Sequence, residues 1–198
     1  MPSALGLFPE YATLPGLFAR EVEGLTEAQL DRVRPEKGWG AWSIRVQVSH
    51  TAWIPYLFFL DLLAPVFFPD GRLPRDKSLA SAGGADRRLD PARFHAMPGL
   101  LAALGDGCAL AREILARETP ASLQREAARP VPRGRRWANG ESVAAYWENL
   151  VLPAHPDGLR RDPARPEVVH QTLGCAFRHI LWEALVHLKT IQAHKRAE

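Results

Sequence analysis

A carboxylate and an imidazole lie one helical turn apart near the C-terminus. Glu183 and His187 are separated by four positions, which places both side chains on one face of a helix. They lie at the border of an apolar stripe, close in direction to Ile180 and Ile191, so both are predicted to point into the protein. Two such groups on one face can bind the same divalent cation.

A third ligand must come from another helix, and His50 is the candidate. It shares a face with Val46, Trp53 and Leu57 in a strongly apolar segment, where a neutral imidazole needs a partner. Two histidines and one carboxylate leave a coordination position open, as in catalytic zinc sites. Two simpler interpretations stay open, because Glu-x-x-x-His pairs also occur on solvated helices and single histidines also occur as hydrogen-bonded core residues.

These side chains must be positioned by helices, because strand signals are scarce and apolar spacing is helical along most of the chain. The sequence predicts an all-α bundle in one domain covering 1–198. Thr26 with Gln29 has the pattern of a capping box, and Ser43 is the predicted N-cap of the second long helix. The predicted helices cover 14–22 with a continuation at 26–33, then 43–63, 98–117 and 174–196, with Pro35 and Gly38 ending the first.

Two long connections separate the predicted helices. The segment 67–91 is rich in turn-forming residues and is predicted to cross from one end of the bundle to the other. The segment 119–166 is predicted to be an irregular excursion with a short helix at 141–150 and a small hairpin. The second half of the helix at 43–63 is apolar around its circumference, which predicts a central helix or one that also contacts a partner subunit. We therefore expect a homodimer.

Composition excludes several classes of protein. The N-terminus lacks the basic region of an export signal, and the two cysteines, Cys108 and Cys175, lie far apart, so a cytoplasmic protein without disulfides is expected. The most apolar run, 52–68, contains Pro55, Asp61 and Pro65 and is too short to span a membrane. The net charge is only +3, and the single arginine cluster at 129–136 lacks an accompanying nucleic-acid-binding motif.

Two segments carry a resemblance to a known family. The segment Trp42-Ser43-Ile44-Arg45-Val46-Gln47-Val48-Ser49-His50 resembles the entry into the second helix of the DinB/YfiT-like four-helix bundles, where the histidine is a metal ligand. The segment from His179 to Ile191 is similar to the final helix of that family. Most members carry a histidine where this chain has Glu183, and Lys189-Thr190 replaces their Gly-Gln.

The resemblance implies a four-helix bundle with long crossover connections and a metal held by His50, Glu183 and His187. The related mycothiol-dependent maleylpyruvate isomerases use a His/Glu/His set. Zn²⁺ is the default ion, with Ni²⁺, Fe²⁺ or Mn²⁺ as alternatives. The implied function is a low-molecular-weight-thiol S-transferase or isomerase acting on a small molecule through a metal-bound thiolate. The alternatives are a metal-dependent hydrolase and a non-enzymatic, stress-related binding protein with a vestigial metal site.

The other histidines and the tryptophans receive weaker assignments. His179 is the best rival ligand but lies further from the apolar stripe, so it is expected behind the ligands or at the surface. His194 lies near the fraying terminus and is not expected to have a structural role. His95, His155 and His170 fall in irregular segments and are predicted to be solvated. Four tryptophans could line a pocket or simply pack in the core: Trp39, Trp42, Trp53 and Trp182.

Overall fold

A computed structural model describes residues 2–37, 40–81, 87–131, 133–136, 140 and 142–197. Most of this part of the chain is helical. The helices in chain order are α1 (Glu10–Val22), α2 (Glu27–Asp31), α3 (Ile44–Leu57), α4 (Ala64–Phe67), α5 (Met97–Arg117), α6 (Val143–Tyr146), α7 (Leu152–Ala154) and α8 (Leu173–Arg196). Three short strands follow α5: β1 (Glu126–Pro130), β2 (Leu159–Arg161) and β3 (Val168–Thr172).

The four long helices, α1, α3, α5 and α8, pack around a common core. Helix α3 contacts α5 and α8, and α1 contacts the same two helices. Their apolar faces bury large side chains that are almost fully excluded from solvent, among them Tyr11, Phe18, Tyr56, Leu104 and Phe177. The Tyr11 hydroxyl donates a hydrogen bond of 2.9 Å to the Phe177 carbonyl, so α1 and α8 are joined by a polar contact inside this core.

The predicted helix starts agree with local capping chemistry. Thr26 and Gln29 form a reciprocal capping box at the start of α2. The Ser43 hydroxyl accepts from the backbone N–H of Val46 and caps α3. The first long helix begins at Glu10, earlier than predicted, and Gly38 lies outside the described residues.

Helix α3 is the central helix of the fold. It runs past Pro55 and continues as a π-helical turn, Phe58–Leu62. Nearly all its side chains are buried against other parts of the same chain. The apolar circumference seen in the sequence is therefore explained within one subunit, and the homodimer remains a prediction.

The all-α prediction is wrong in one region, because the chain also forms a three-stranded antiparallel sheet. The strand order is β1-β3-β2, with Glu126 opposite Thr172 and Leu159 opposite Gln171. Two strands lie within the predicted irregular excursion, and the third, β3, lies beyond it. Strands of three to five residues are too short for an alternating apolar pattern to stand out, and their pairing joins segments distant in the chain.

The sheet fixes the start of α8 and covers one side of it. Thr172 ends β3, and its hydroxyl accepts from the N–H of Cys175 as the N-cap of α8. A second apolar cluster joins α6, the π-helical turn Trp147–Val151 and the sheet; its buried members are Val131, Val143, Trp147, Val151, Leu159, Val169 and Cys175. No helix among the described residues is long and apolar enough to cross a membrane.

Candidate metal centre

The structure brings His50 of α3 together with Glu183 and His187 of α8. One ligand atom from each lies within 4.8 Å of the others. The Oε2 atom of Glu183 lies 3.2 Å from Nε2 of His50 and 3.8 Å from Nε2 of His187. Two ligand atoms about 2.1 Å from a tetrahedral zinc ion lie about 3.4 Å apart, so these separations suit a shared ion.

The His50 ring is oriented by a backbone carbonyl. Its Nδ1 forms a short hydrogen bond with the carbonyl oxygen of Arg87. A carbonyl only accepts, so Nδ1 carries the proton and a neutral His50 presents an unprotonated Nε2 to Glu183. Arg87 has a φ of 50°, a left-handed conformation that is uncommon for a residue other than glycine. The backbone is therefore held in an unfavourable conformation where it orients this histidine.

The His187 ring is oriented by a side-chain amide. Its Nδ1 forms a short hydrogen bond with Oε1 of Gln47, which lies one turn before His50. The amide nitrogen of Gln47 donates to the Trp42 carbonyl at 3.4 Å. Because that carbonyl cannot donate, the amide oxygen must face His187, and the Nδ1 of His187 carries the proton.

When both rings are neutral, Nε2 of His50, Nε2 of His187 and Oε2 of Glu183 are therefore all hydrogen-bond acceptors. Burial is the main cause that lowers the pKa of His187 to about 4, against the opposing effect of Glu183, so this ring is neutral at pH 7. Burial alone would raise the pKa of Glu183, but hydrogen bonding, led by the contact with His179, outweighs it and holds the pKa well below its usual range. A largely buried carboxylate that faces two imidazole lone pairs could hold a metal ion.

The second oxygen of Glu183 is held by other donors. The Tyr146 hydroxyl donates to Oε1 at 3.0 Å, and Nε2 of His179 lies 3.2 Å from the same atom. His155 continues this chain, with its Nε2 3.1 Å from Nδ1 of His179. These contacts occupy Oε1 and leave Oε2 as the oxygen that could bind an ion.

A cavity of about 430 Å³ adjoins the triad. His50 and Glu183 form part of its wall, together with Tyr146 and His179. Its wall combines apolar and aromatic side chains with those of three arginines. Its volume falls within the range of about 300–1,000 Å³ typical of small-molecule sites.

A second group with metal-ligand chemistry contains Glu27, Asp31 and His95. The guanidinium of Arg45 already lies between them: it donates to Asp31 at 2.6 Å, to Glu27 through a short bond, and to the His95 carbonyl at 2.7 Å. Arg45 thus supplies the positive charge there, and the three side chains are exposed. We assign no ion to this group.

Several histidine predictions need correction. His155, predicted to be solvated, is only 8% exposed and bonds to His179. His179 is buried, so it lies behind the ligands and not at the surface. His194 is also buried, with Nε2 3.0 Å from the Trp42 carbonyl, because α8 stays packed almost to its end. His170 is half-buried on β3 and lies 2.9 Å from Asp162, whereas His95 is exposed as predicted.

The tryptophans divide between the cavity and the rings of the site. Trp53 lines the cavity. Trp42 stacks on His187 with a centroid distance of 5.9 Å and an interplanar angle of 15°, and Trp182 stacks on His179 at 5.6 Å and 24°. Trp39 lies outside the described residues.

Sequence reasoning missed three side chains of the site: Gln47, Tyr146 and Arg129. Gln47 had a detectable signal, since it is a polar residue one turn before His50 in an apolar helix. Tyr146 lay in the predicted short helix at 141–150 and Arg129 in the arginine cluster at 129–136, but neither pattern indicated a place in the site. Only the tertiary structure brings these two residues to the cavity.

Comparisons with known protein families, with curated proteins and with solved structures found no match to this chain. The resemblance to the DinB/YfiT-like bundles therefore stays a prediction.

Proposed function

We propose that this protein is a divalent-metal-dependent enzyme that acts on a small molecule bound in the cavity beside His50 and Glu183. One observation carries the proposal. Both candidate ligand histidines have their Nδ1 atoms bound to acceptors, so their Nε2 lone pairs converge on Oε2 of Glu183. A divalent cation would satisfy all three converging acceptors at once.

More specifically, we propose that the protein is a low-molecular-weight-thiol S-transferase or isomerase, with Zn²⁺ as the default ion. A divalent ion with an open position supplies Lewis acidity that lowers the pKa of a thiol or of water. Two imidazoles and a carboxylate leave such a position, and the cavity reaches the triad beside two of its members. The thiol is supported by the sequence resemblance described above.

The protein's own residues prepare the site for this chemistry. Tyr146 and His179 fix the Glu183 carboxylate through Oε1, and Gln47 and the Arg87 carbonyl fix the two imidazoles. Such outer contacts hold ligands in place before the ion binds. The apolar side of the cavity, with Trp53 and Phe58, limits water around the reacting groups.

Elemental analysis of the purified protein tests the metal site. We expect about one divalent ion per chain, lost in His50→Ala, Glu183→Ala and His187→Ala. His95→Ala is the matched control, because it removes an exposed imidazole remote from the triad and should keep the ion. A wild-type protein that takes up no metal after reloading would contradict the proposal, and a protonated histidine would then be the cation of the site.

Spectroscopy of the Co²⁺-loaded protein tests the thiol. Adding a low-molecular-weight thiol should change the visible spectrum, and turnover of electrophilic substrates should require that thiol. Turnover with water alone would identify a hydrolase instead. Loss of metal that lowers stability, with no thiol binding and no turnover, would indicate the non-enzymatic alternative.

A further inference from the structure

Arg129 is a half-buried arginine with one buried guanidinium nitrogen that has no hydrogen-bond partner. It lies on β1 with its guanidinium between two aromatic rings, 4.7 Å from the Trp147 centroid and 4.9 Å from that of Phe58. Its Nη1 is buried without a hydrogen-bond partner, and none of the described residues forms an ion pair with it. Burial lowers its pKa to about 10, so it remains charged at neutral pH. A buried guanidinium nitrogen without an acceptor costs free energy unless a ligand supplies one.

The position of Arg129 links it to the candidate metal centre. Arg129 lines the same cavity as His50 and Glu183, and Arg87 and Arg135 also contribute to the wall. Phe58 and Trp147 each begin a π-helical turn, an irregularity that is common at functional sites. With a divalent ion and one carboxylate in the triad, the cavity carries excess positive charge. An anionic ligand would balance it.

The presence of Arg129 in the cavity is not explained by a need to neutralise the charge of Glu183. Glu183 already interacts with Tyr146, His179 and both ligand histidines. Arg129 lies within electrostatic range of Glu183, yet the two form no ion pair. The aromatic stacking instead holds the planar guanidinium in one orientation, which favours two parallel hydrogen bonds to an oxyanion.

We propose that Arg129 binds an oxyanion group, a carboxylate or a phosphate monoester, of a small substrate whose apolar body lies along the aromatic side of the cavity. The substrate class rests on the proposed function, because the group would anchor a molecule whose reacting end faces the triad. Binding of the oxyanion itself needs only Arg129 and the cavity. The two proposals can therefore fail separately.

Calorimetric binding of three probes of similar shape tests the assignment: 3-phenylpropionate, 2-phenylethyl phosphate and the uncharged 3-phenylpropanamide. Each is titrated into the full chain, both metal-free and Zn²⁺-loaded. We expect at least one anion to bind about tenfold to a hundredfold more tightly than the amide, as for a charged hydrogen bond. The tighter anion identifies the group as carboxylate or phosphate.

Arg129→Gln should remove this preference in both metal states, whereas Arg112→Gln should keep it. Arg112 is the matched control because it is exposed on α5, so its loss changes net charge equally without touching the cavity. Equal binding of the anions and the amide by the wild type would overturn the proposal, as would an undiminished preference in folded Arg129→Gln. If that variant does not fold, the wild-type comparison in the metal-free protein decides.

The metal proposal is judged independently in the same titrations. An anion preference in metal-free protein that takes up no zinc would support the oxyanion site and contradict the metal site. Stoichiometric zinc binding without an anion preference would support the metal site and contradict the oxyanion site.

Discussion

At the scale of single residues, the candidate centre depends on groups that hold its ligands. Glu183 offers one oxygen to the site because its other oxygen is occupied by Tyr146 and His179. His187 presents Nε2 because Gln47 binds its Nδ1. The chemistry of the three ligands is therefore set as much by neighbours as by their own types.

Removing the Gln47 contact should weaken metal binding. In Gln47→Met, His187 loses the acceptor for Nδ1 and can rotate or change tautomer. We expect metal affinity to fall about tenfold to a hundredfold, measured by competition with a chromophoric chelator. Thr51→Val is the control, since it removes a hydroxyl that bonds the Gln47 carbonyl one turn away without touching a ligand. Unchanged affinity in Gln47→Met would show that Gln47 does not position His187.

His155 should make the metal-free protein sensitive to acid. Burial, with His179 and Arg178 adding to it, lowers the pKa of His155 to about 4, whereas the unfolded residue has a pKa of about 6.5. Between these two pH values the unfolded chain binds a proton that the folded chain does not. The free energy of unfolding therefore decreases as the pH decreases. The expected contribution is about 2 kcal/mol between pH 7 and pH 5.

Urea unfolding of His155→Gln in a chelator checks this contribution. The glutamine amide can still donate to His179 but does not titrate. Between pH 7 and pH 5, the free energy of unfolding of this variant should therefore fall by about 2 kcal/mol less than that of the wild type. His187 continues to contribute in both proteins, because its pKa is also lowered. The exposed His95, replaced by Gln, is the control. Identical pH dependence in wild type and His155→Gln would refute the assignment.

At the scale of elements, the ligand pair depends on where α8 begins. Thr172 ends β3 and caps α8, so the sheet and the ligand-bearing helix share a residue. Strand pairing fixes Thr172 opposite Glu126 of β1, and β1 also carries Arg129. One short sheet therefore positions both the start of α8 and the cation of the proposed oxyanion site.

Thr172→Val should destabilise the protein by about 1 kcal/mol, because it keeps the shape of the side chain and removes the cap. Thr172→Ser keeps the hydroxyl and should stay close to wild type. Chemical denaturation measures both. Metal content should be unchanged in each, since the cap lies far along α8 from Glu183. Equal stability of the two variants would mean that strand pairing alone fixes the start of α8.

At the scale of the whole molecule, metal binding should be coupled to stability. The ligands come from α3 and α8, so an ion joins two helices of the core that are distant in the chain. Free Zn²⁺ at a hundred times its dissociation constant adds about 2.7 kcal/mol to the free energy of unfolding. For a chain of this length, that corresponds to a rise in Tm of about 5–10 °C.

Scanning calorimetry with Zn²⁺ and with EDTA measures this rise. His187→Ala should lose most of it, and Arg112→Gln should retain it. A rise of the same size in His187→Ala would place the stabilising zinc elsewhere on the protein.

Much of the helical framework, and the grouping of His50 with Glu183 and His187, could be predicted from the sequence. The spacing of Glu183 and His187 fixes them on one helix face, and the capping residues Thr26 and Ser43 fix two helix starts, because these are short-range effects of the backbone. The apolar surroundings of His50 indicated that it faces the interior. Local periodicity carries this information.

What surrounds the ligands was decided by tertiary structure. Arg87, Tyr146 and Arg129 reach the site from segments with little periodic pattern, and β1 and β3 are too short to be recognised singly. His155 was predicted to be solvated because its burial depends on contacts with α8 that are absent from its own segment. Long-range packing therefore determined which groups hold the ligands and line the cavity, since a sequence window records only local spacing.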